Sequence, residues 1–330
     1  MRPLVVWRFS DGKAGHDGQS RGLLEALSRL RPVEALMLDP LPTLTALSIL
    51  FIGRFLAWRH LPIPDIVLGA GHRTHLSLLA ARRVHRGKAV VLMRPSLPLS
   101  LFDLCLIPEH DAPPARRNVL ATRGALNRIQ PSTALEPSRG LLLIGGPSAH
   151  FAWDNESLHR QIAAIVAADP AIHWTLTTSR RTPANFLEYL SPLPPAPSYD
   201  GEGELPKTPS PLLGEGWGGE CERSFLKIVP VVETGPDWLP AQLARTGQVW
   251  VTADSVSMVY EALTAGAAVG VLDVPVKHAN RVSQGLAQLA TEGWVTPFAD
   301  GSPGQPLQRP PQTFNEAERC ARWIIEQWFA

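Results

Sequence analysis

Short apolar runs recur along this chain, each closed by a glycine or aspartate turn and followed by a stretch with helical spacing. Leu4 to Phe9 is apolar with β-branched members and ends in Ser10-Asp-Gly12, and Leu23, Leu24, Leu27 and Leu30 then predict a helix over 19–30. The same sequence of signals returns as strands at 33–38 and 66–68, a helix at 76–83, and strands at 89–93 and 104–107. After the Pro- and Ser-bearing stretch 131–139 it restarts. Strands are predicted at 141–144, 172–177, 249–252 and 269–272, with helices at 158–168 and 255–264 between them, and an amphipathic helix ends the chain at 315–329. Strands that alternate with helices pair in parallel through crossover connections. The expected class is therefore α/β, two Rossmann-like domains facing a cleft. The expected boundaries are 1–135 and 140–312, with a terminal helix at 313–330 free to pack back on the first domain.

One segment departs from this pattern. Residues 191–223 are crowded with Pro, Gly, Ser and Glu and lack apolar periodicity, so a disordered loop is expected there. The balance of 31 basic and 30 acidic residues gives no electrostatic reason to expect nucleic acid as a partner. Cys105, Cys221 and Cys320 are far apart and odd in number, which suits a reducing, cytoplasmic setting, and no export signal is evident at the N-terminus. The apolar stretch 44–58, interrupted by Arg54, is shorter than the roughly 20 residues of an ordinary membrane span. With Arg54, Arg59 and His60 on its flank it permits peripheral contact with the inner face of the membrane through 44–60, although a core or cleft helix is the favoured reading.

Three motifs carry candidate chemistry. Ser10-Asp-Gly-Lys-Ala-Gly-His-Asp-Gly-Gln19 lies between a strand and a helix, where glycine lets backbone amides approach a ligand and a helix start favours negative charge. Gly12, Gly15 and Gly18 fit a G-x-x-G-x-x-G spacing, and Asp39 closes the next strand where a ribose-binding acid would lie, so an NAD-dependent epimerase is one alternative. Its chemistry fails, because Tyr189, Tyr199 and Tyr260 are followed four residues on by Leu193, Gly203 and Thr264 rather than by lysine. The second motif places Asp254, Ser255 and Ser257 where a strand gives way to a helix, with Glu261 one to two turns inside it. Hydroxyls and free amides there can hold a diphosphate and the carboxylate can accept from ribose hydroxyls, against the simpler reading of helix capping. The third, Thr177-Thr-Ser-Arg-Arg-Thr-Pro183, offers Ser179, Arg180 and Arg181 at a strand's carboxyl end, with the close-approach turn Gly145-Gly146 nearby. His72 and His75, or His110 and Asp111, lack the ligand count of a zinc site, no D-x-D clamp occurs, and no G-x-S-x-G elbow supports a hydrolase, so no metal is expected.

Taken together, Trp7 with 10–20, Pro108-Glu-His-Asp111, Thr122-Arg-Gly-Ala-Leu-Asn-Arg-Ile129, Ile144-Gly-Gly-Pro147, 178–183 and Val251-Thr-Ala-Asp-Ser-Val-Ser-Met258 resemble the bacterial branch of the mitochondrial-fission family named for elongated mitochondria. That family looks like GT-B glycosyltransferases. One departure is Gly235-Pro-Asp-Trp-Leu-Pro240, where the family usually has an Asn-Pro-Tyr stretch. More distantly, Gly12-Lys-Ala-Gly-His16 and 257–261 are similar to the lipid-linked N-acetylglucosaminyltransferase of peptidoglycan synthesis. The resemblances imply a metal-independent glycosyltransferase that needs no cofactor and takes a nucleotide-diphosphate sugar as substrate in the interdomain cleft. A lipid-linked or cell-envelope acceptor fits this reading. Glu261 would bind the donor ribose, and Gly145, Gly146, Ser179, Arg180, Arg181, Asp254, Ser255 and Ser257 the diphosphate. His16 or Asp17 would act as general base, and Gly12, Lys13, Gly15, His110 and Asp111 would face the acceptor. The alternative from the same family is a non-catalytic GT-B-like scaffold that recruits a partner.

Overall fold

A computed structural model describes residues 2–53, 58–190, 226–278, 281–298 and 306–329. The segment expected to be disordered, 191–223, and Arg54 lie outside the described residues.

The chain forms two compact units, Met1–Gln130 with Asn315–Ala330, and Pro131–Phe314. In the first, six strands run β1 Leu4–Phe9, β2 Val33–Leu38, β3 Ile66–Ala70, β4 Lys88–Leu92, β5 Leu104–Pro108 and β6 Val119–Thr122. All pair in parallel in the order β2-β1-β3-β4-β5-β6. Helices α1 Ala14–Leu30, α2 Thr43–Ile52 and α3 His75–His85 connect them, and α8 Glu316–Trp328 belongs to the same unit. Strand alternation divides the core into two layers. Val6, Ile66, Leu68, Val90 and Leu104 pack with Leu23 and Leu27 of α1 and with Cys320 and Ile324 of α8. Val5, Trp7, Phe9, Val67 and Val91 pack with Leu78 of α3, Trp58 and Phe102.

The second unit repeats the architecture with β7 Glu136–Leu143, β8 His173–Thr177, β9 Leu226–Val229, β10 Thr246–Thr252, β11 Ala268–Leu272 and β12 Thr296–Pro297. Its order is β12-β11-β10-β7-β8-β9, again parallel. Helices α4 Asn155–Ala168, α5 Trp238–Leu243, α6 Val256–Ala265 and α7 Arg281–Thr291 accompany it. Asp154 starts α4 by accepting from the amides of Glu156 and Ser157 at 3.0 and 3.3 Å. Two central strands carry glycine opposite tryptophan, Gly140 beside Trp174 and Gly270 beside Trp250. A Cβ at either glycine would overlap the indole, so the indoles lie flat across the neighbouring backbone.

Both strand orders contain one place where the winding reverses, between β1 and β3 in the first sheet and between β7 and β10 in the second. Helices leave in opposite directions there and open a crevice at the carboxyl ends of the strands, which is where open α/β sheets bind ligands.

Several elements differ from expectation. The stretch 131–139 is not merely a separator, since β7 starts at Glu136. Strands β6 and β9 were not expected, each only four residues long. Helix α1 begins at Ala14, not near Gln19, so Gly15, His16, Asp17 and Gly18 are helical and only Gly12, at φ +79°, makes the turn. A dinucleotide fingerprint uses its last glycine to bring helix against strand. A Cβ on Gly15 or Gly18 would meet nothing, which leaves the NAD spacing without its structural purpose. Nor is α2 a fully buried helix: Ala46 and Ile49 are buried, but Leu44, Phe51 and Ile52 are exposed.

Candidate functional site

The switch point of the first unit is organised by an arginine. Arg8 lies inside β1 on the side facing α1 and is 1% exposed. A buried guanidinium needs a counter-charge and hydrogen bonds. Asp17 supplies the charge at 2.6 Å and Ser20 Oγ a second acceptor at 3.0 Å, while Ser10 Oγ donates to the same Asp17 oxygen at 3.1 Å. Asp17 is therefore the counterion of Arg8, with its Oδ1 shared between Arg8 and Ser10.

His16 has the opposite surroundings. Its Nδ1 lies 2.9 Å from Asp11 Oδ2, whose carboxylate side chain is fully covered. Burial resists ionisation of Asp11, but the His16 hydrogen bond, the Lys13 amide at 3.2 Å and the charges of both residues outweigh it and hold the carboxyl below its ordinary range. In the neutral ring a carboxylate on Nδ1 favours the tautomer with the proton there. The ring sits under the turn that follows β3. Gly71, at φ +85°, passes so close that a Cβ would collide with His16 Nδ1 and come within 2.9 Å of Asp11 Oδ2. Asp11 and Gly71 were absent from the expected site. The glycine at the end of the third apolar run was a visible cue, but its contact with a histidine 55 positions earlier was not. Lys13 ends the turn as the residue before α1, and Gly12 and Gly15 present open backbone beside it. His110 and Asp111 follow β5, two strand spacings or about 10 Å beyond β3. The Asp111 carbonyl accepts from Arg94 at 2.8 Å, and no described contact joins this pair to His16.

In the second unit β7 and β10 end side by side. The amides of Gly145 and Gly146 are consumed within the protein, donating to Thr252 Oγ1 at 2.8 Å and to Asp254 Oδ2 at 3.0 Å. They are thus not free for a ligand; these positions are glycine because a Cβ on Gly145 would overlap Ser255 Oγ and the Asp254 carboxylate, and one on Gly146 the Arg181 backbone. Gly145→Ala is expected to cost about 2–3 kcal/mol by overpacking, read as a lowered midpoint in denaturant. Ser179 likewise serves the scaffold, donating from Oγ to the Gly145 carbonyl at 2.9 Å.

The two arginines that look alike in sequence part company here. Arg181 donates to the Gly146 carbonyl at 2.8 Å, to Asp254 Oδ2 at 2.8 Å and to Ser255 Oγ at 3.2 Å, so it braces the loops. Asp254 Oδ2 and Ser255 Oγ are engaged in return, while Asp254 Oδ1 is buried without a hydrogen-bond partner among the described residues. Arg180 is exposed and has no partner among the described residues. At the start of α6 the hydroxyl of Ser257 is exposed, and the amides of Val256 and Ser257 have no described acceptor, as the first turn of a helix leaves them. One and a half turns on, Glu261 is largely enclosed. It makes no described hydrogen bond or ion pair, and burial pushes its carboxyl up to about 7. Arg180, the Ser257 hydroxyl, the amides of Val256 and Ser257, and Glu261 are thus the predicted groups without a described partner. No cluster of three or more His, Cys, Asp or Glu among the described residues is placed to hold a metal ion.

The architecture has known counterparts. A Listeria monocytogenes protein assigned as a UDP-N-acetylglucosamine 2-epimerase superposes with a TM-score of 0.55 at 11% identity, covering 98% of this chain and 95% of its own. The glycotransferase of kitacinnamycin superposes with a TM-score of 0.51 at 13% identity, over 99% of both chains. These full-length likenesses place the two parallel sheets in the GT-B fold class. No curated protein matches the chain in sequence. The family model described as Mitochondrial fission ELM1 matches residues 14–206 and 222–328, most of the chain. The chain belongs to the mitochondrial fission ELM1 family.

Proposed function

We propose that the protein binds a nucleotide-diphosphate sugar on its second unit and transfers the sugar without a metal ion. The observation that carries this reading is Glu261, an enclosed carboxylate without a partner among the described residues, on the helix whose free amino end lies at the switch point. In the proposal the diphosphate lies on the amides of Val256 and Ser257, the Ser257 hydroxyl and the Arg180 guanidinium. The leaving charge then meets preorganised donors rather than a divalent ion. The ribose hydroxyls donate to Glu261. On the first unit His16, oriented by Asp11, takes the proton of an acceptor hydroxyl at Nε2, while Asp17 holds Arg8 and the turn in place. Arg181, Asp254, Ser255, Ser179, Gly145 and Gly146 shape the donor loops from behind. Full-length likeness to proteins named as a UDP-sugar epimerase and a glycotransferase supports the nucleotide-sugar class.

Thermal unfolding with a panel of nucleoside diphosphates and their sugars tests the reading. At least one UDP- or GDP-type ligand is expected to raise Tm by several degrees at 100 times its Kd. Arg180→Ala is expected to leave the unliganded Tm unchanged and to weaken binding about tenfold or more, the loss of one charge-assisted contact. Absence of any shift across the panel favours the non-catalytic scaffold.

A further inference from the structure

Helix α2 has apolar residues all round its axis, a pattern that soluble proteins ordinarily bury. Only one side is covered: Ala46 and Ile49 pack inward, while Leu44, Phe51 and Ile52 stand 82%, 85% and 70% exposed, with Leu47 between them at 36%. Leu44, Leu47 and Phe51 are spaced as one helical face. The bare face is thus a continuous apolar ridge, and scattered surface leucines do not account for it. Ten residues rise about 15 Å, half the thickness of a bilayer core, so the helix cannot span one. No described helix is long and apolar enough to do so.

Behind α2 lies a cavity of about 560 Å³, lined by Leu50, Leu79, Leu101, Arg82, Arg83, Arg86, Lys88 and Asp103. Its one acid is already used. Asp103 receives Arg82 at 2.7 and 3.1 Å and the Ala89 amide at 2.9 Å. Arg83 and Arg86 have no described partner, while the charge of Lys88 acts on Asp103 and its ammonium lies over the Trp328 ring, 5.5 Å from the centroid. Two arginines without acids, beside an exposed apolar ridge, match the two halves of an anionic phospholipid: phosphate in the cavity and acyl chain against the ridge. Arg83 lies against the C-terminal turn of α2, where a Cβ on Gly53 would stand 3.4 Å from its guanidinium, so ridge and cations are held as one surface.

We propose that α2 and the basic cavity behind it form an attachment site for an anionic membrane surface. Helix α2 lies flat with Leu44, Phe51 and Ile52 among the acyl chains, and Arg83 and Arg86 hold lipid phosphates. The inference does not depend on the donor site. Co-sedimentation of the full chain with vesicles tests it, using phosphatidylcholine alone and phosphatidylcholine mixed with phosphatidylglycerol. Binding to the anionic vesicles is expected to be at least about tenfold stronger and to weaken with salt. Leu44→Gln with Phe51→Gln should reduce binding to both compositions. Arg83→Gln with Arg86→Gln should reduce the preference for anionic lipid, and all four side chains can be changed without lowering Tm. Equal binding to the two compositions, or binding to neither, overturns the proposal. A dimer in sedimentation that Phe51→Gln dissociates would assign the ridge to a second copy and overturn it as well.

Discussion

Glu261→Gln is expected to make the protein more stable at pH 8 and at the same time to weaken its nucleotide binding. The carboxyl is enclosed on α6 without a described partner, and burial raises it from 4.5 to about 7. A folded-state value above the unfolded one means the folded chain holds that proton more tightly. The penalty is therefore absent below about pH 4.5, grows as pH rises through about 7, and is full above it. Glutamine removes the charge and keeps the shape. Allowing for partial exposure, the gain at pH 8 is about 1–3 kcal/mol, a rise of a few degrees in Tm, and it should vanish near pH 4. In the proposed complex the ionised carboxylate accepts ribose hydroxyls. Losing such bonds to a charged group costs about 1.5–3 kcal/mol, or roughly ten- to a hundredfold in Kd. Binding by the native chain should likewise weaken about tenfold between pH 8 and pH 6 as Glu261 takes up its proton. A carboxylate present only to stabilise the helix would show the reverse, with Tm lost on substitution and affinity unmoved.

The second large effect belongs to Asp17. Asp17→Ala leaves the Arg8 guanidinium uncompensated inside the first core, and breaking a buried pair from one side costs about 3–5 kcal/mol. Replacing both partners, Arg8→Leu with Asp17→Ala, should recover most of that stability, because the isolated charge goes with the pair. His16→Ala should behave differently, since its ring is partly exposed and bound to Asp11 alone among the described partners. Little Tm is lost, while transfer to an acceptor falls by about 10²–10⁴-fold if His16 is the base. Chemical denaturation of the three variants beside a transfer assay separates the two neighbours.

Much of the fold was legible because period-2 and period-3.6 patterns alternate strongly over both halves. The central strands and the helices 155–168, 256–265 and 316–328 follow directly from that alternation. The short edge strands β6 and β9 escaped because four residues carry too little pattern. Helix α1 was expected to start late because three glycines in seven residues argue locally for a loop. The Arg8–Asp17–Ser20 contacts hold that segment as a helix, a tertiary effect that propensity does not register. The candidate site shows the same division. Residue types at both switch points could be read from the chain, since Gly, Asp, Ser and Arg at strand ends have few other uses. Which of them remain free could not. Arg180 and Arg181 are adjacent, and only an aspartate 73 positions away makes one a brace and the other available. Asp11 was passed over in favour of Asp17 because the pairing of each depends on strand β1 and on the turn after β3.

Isothermal titration of the native chain with UDP, GDP and the corresponding nucleosides at pH 8 addresses the diphosphate site itself. Saturable binding is predicted for at least one diphosphate, at least about tenfold tighter than its nucleoside, reduced by Arg180→Ala and by Glu261→Gln. Nucleosides binding as tightly as their diphosphates, or affinity untouched by either substitution, would contradict an anion held at the start of α6.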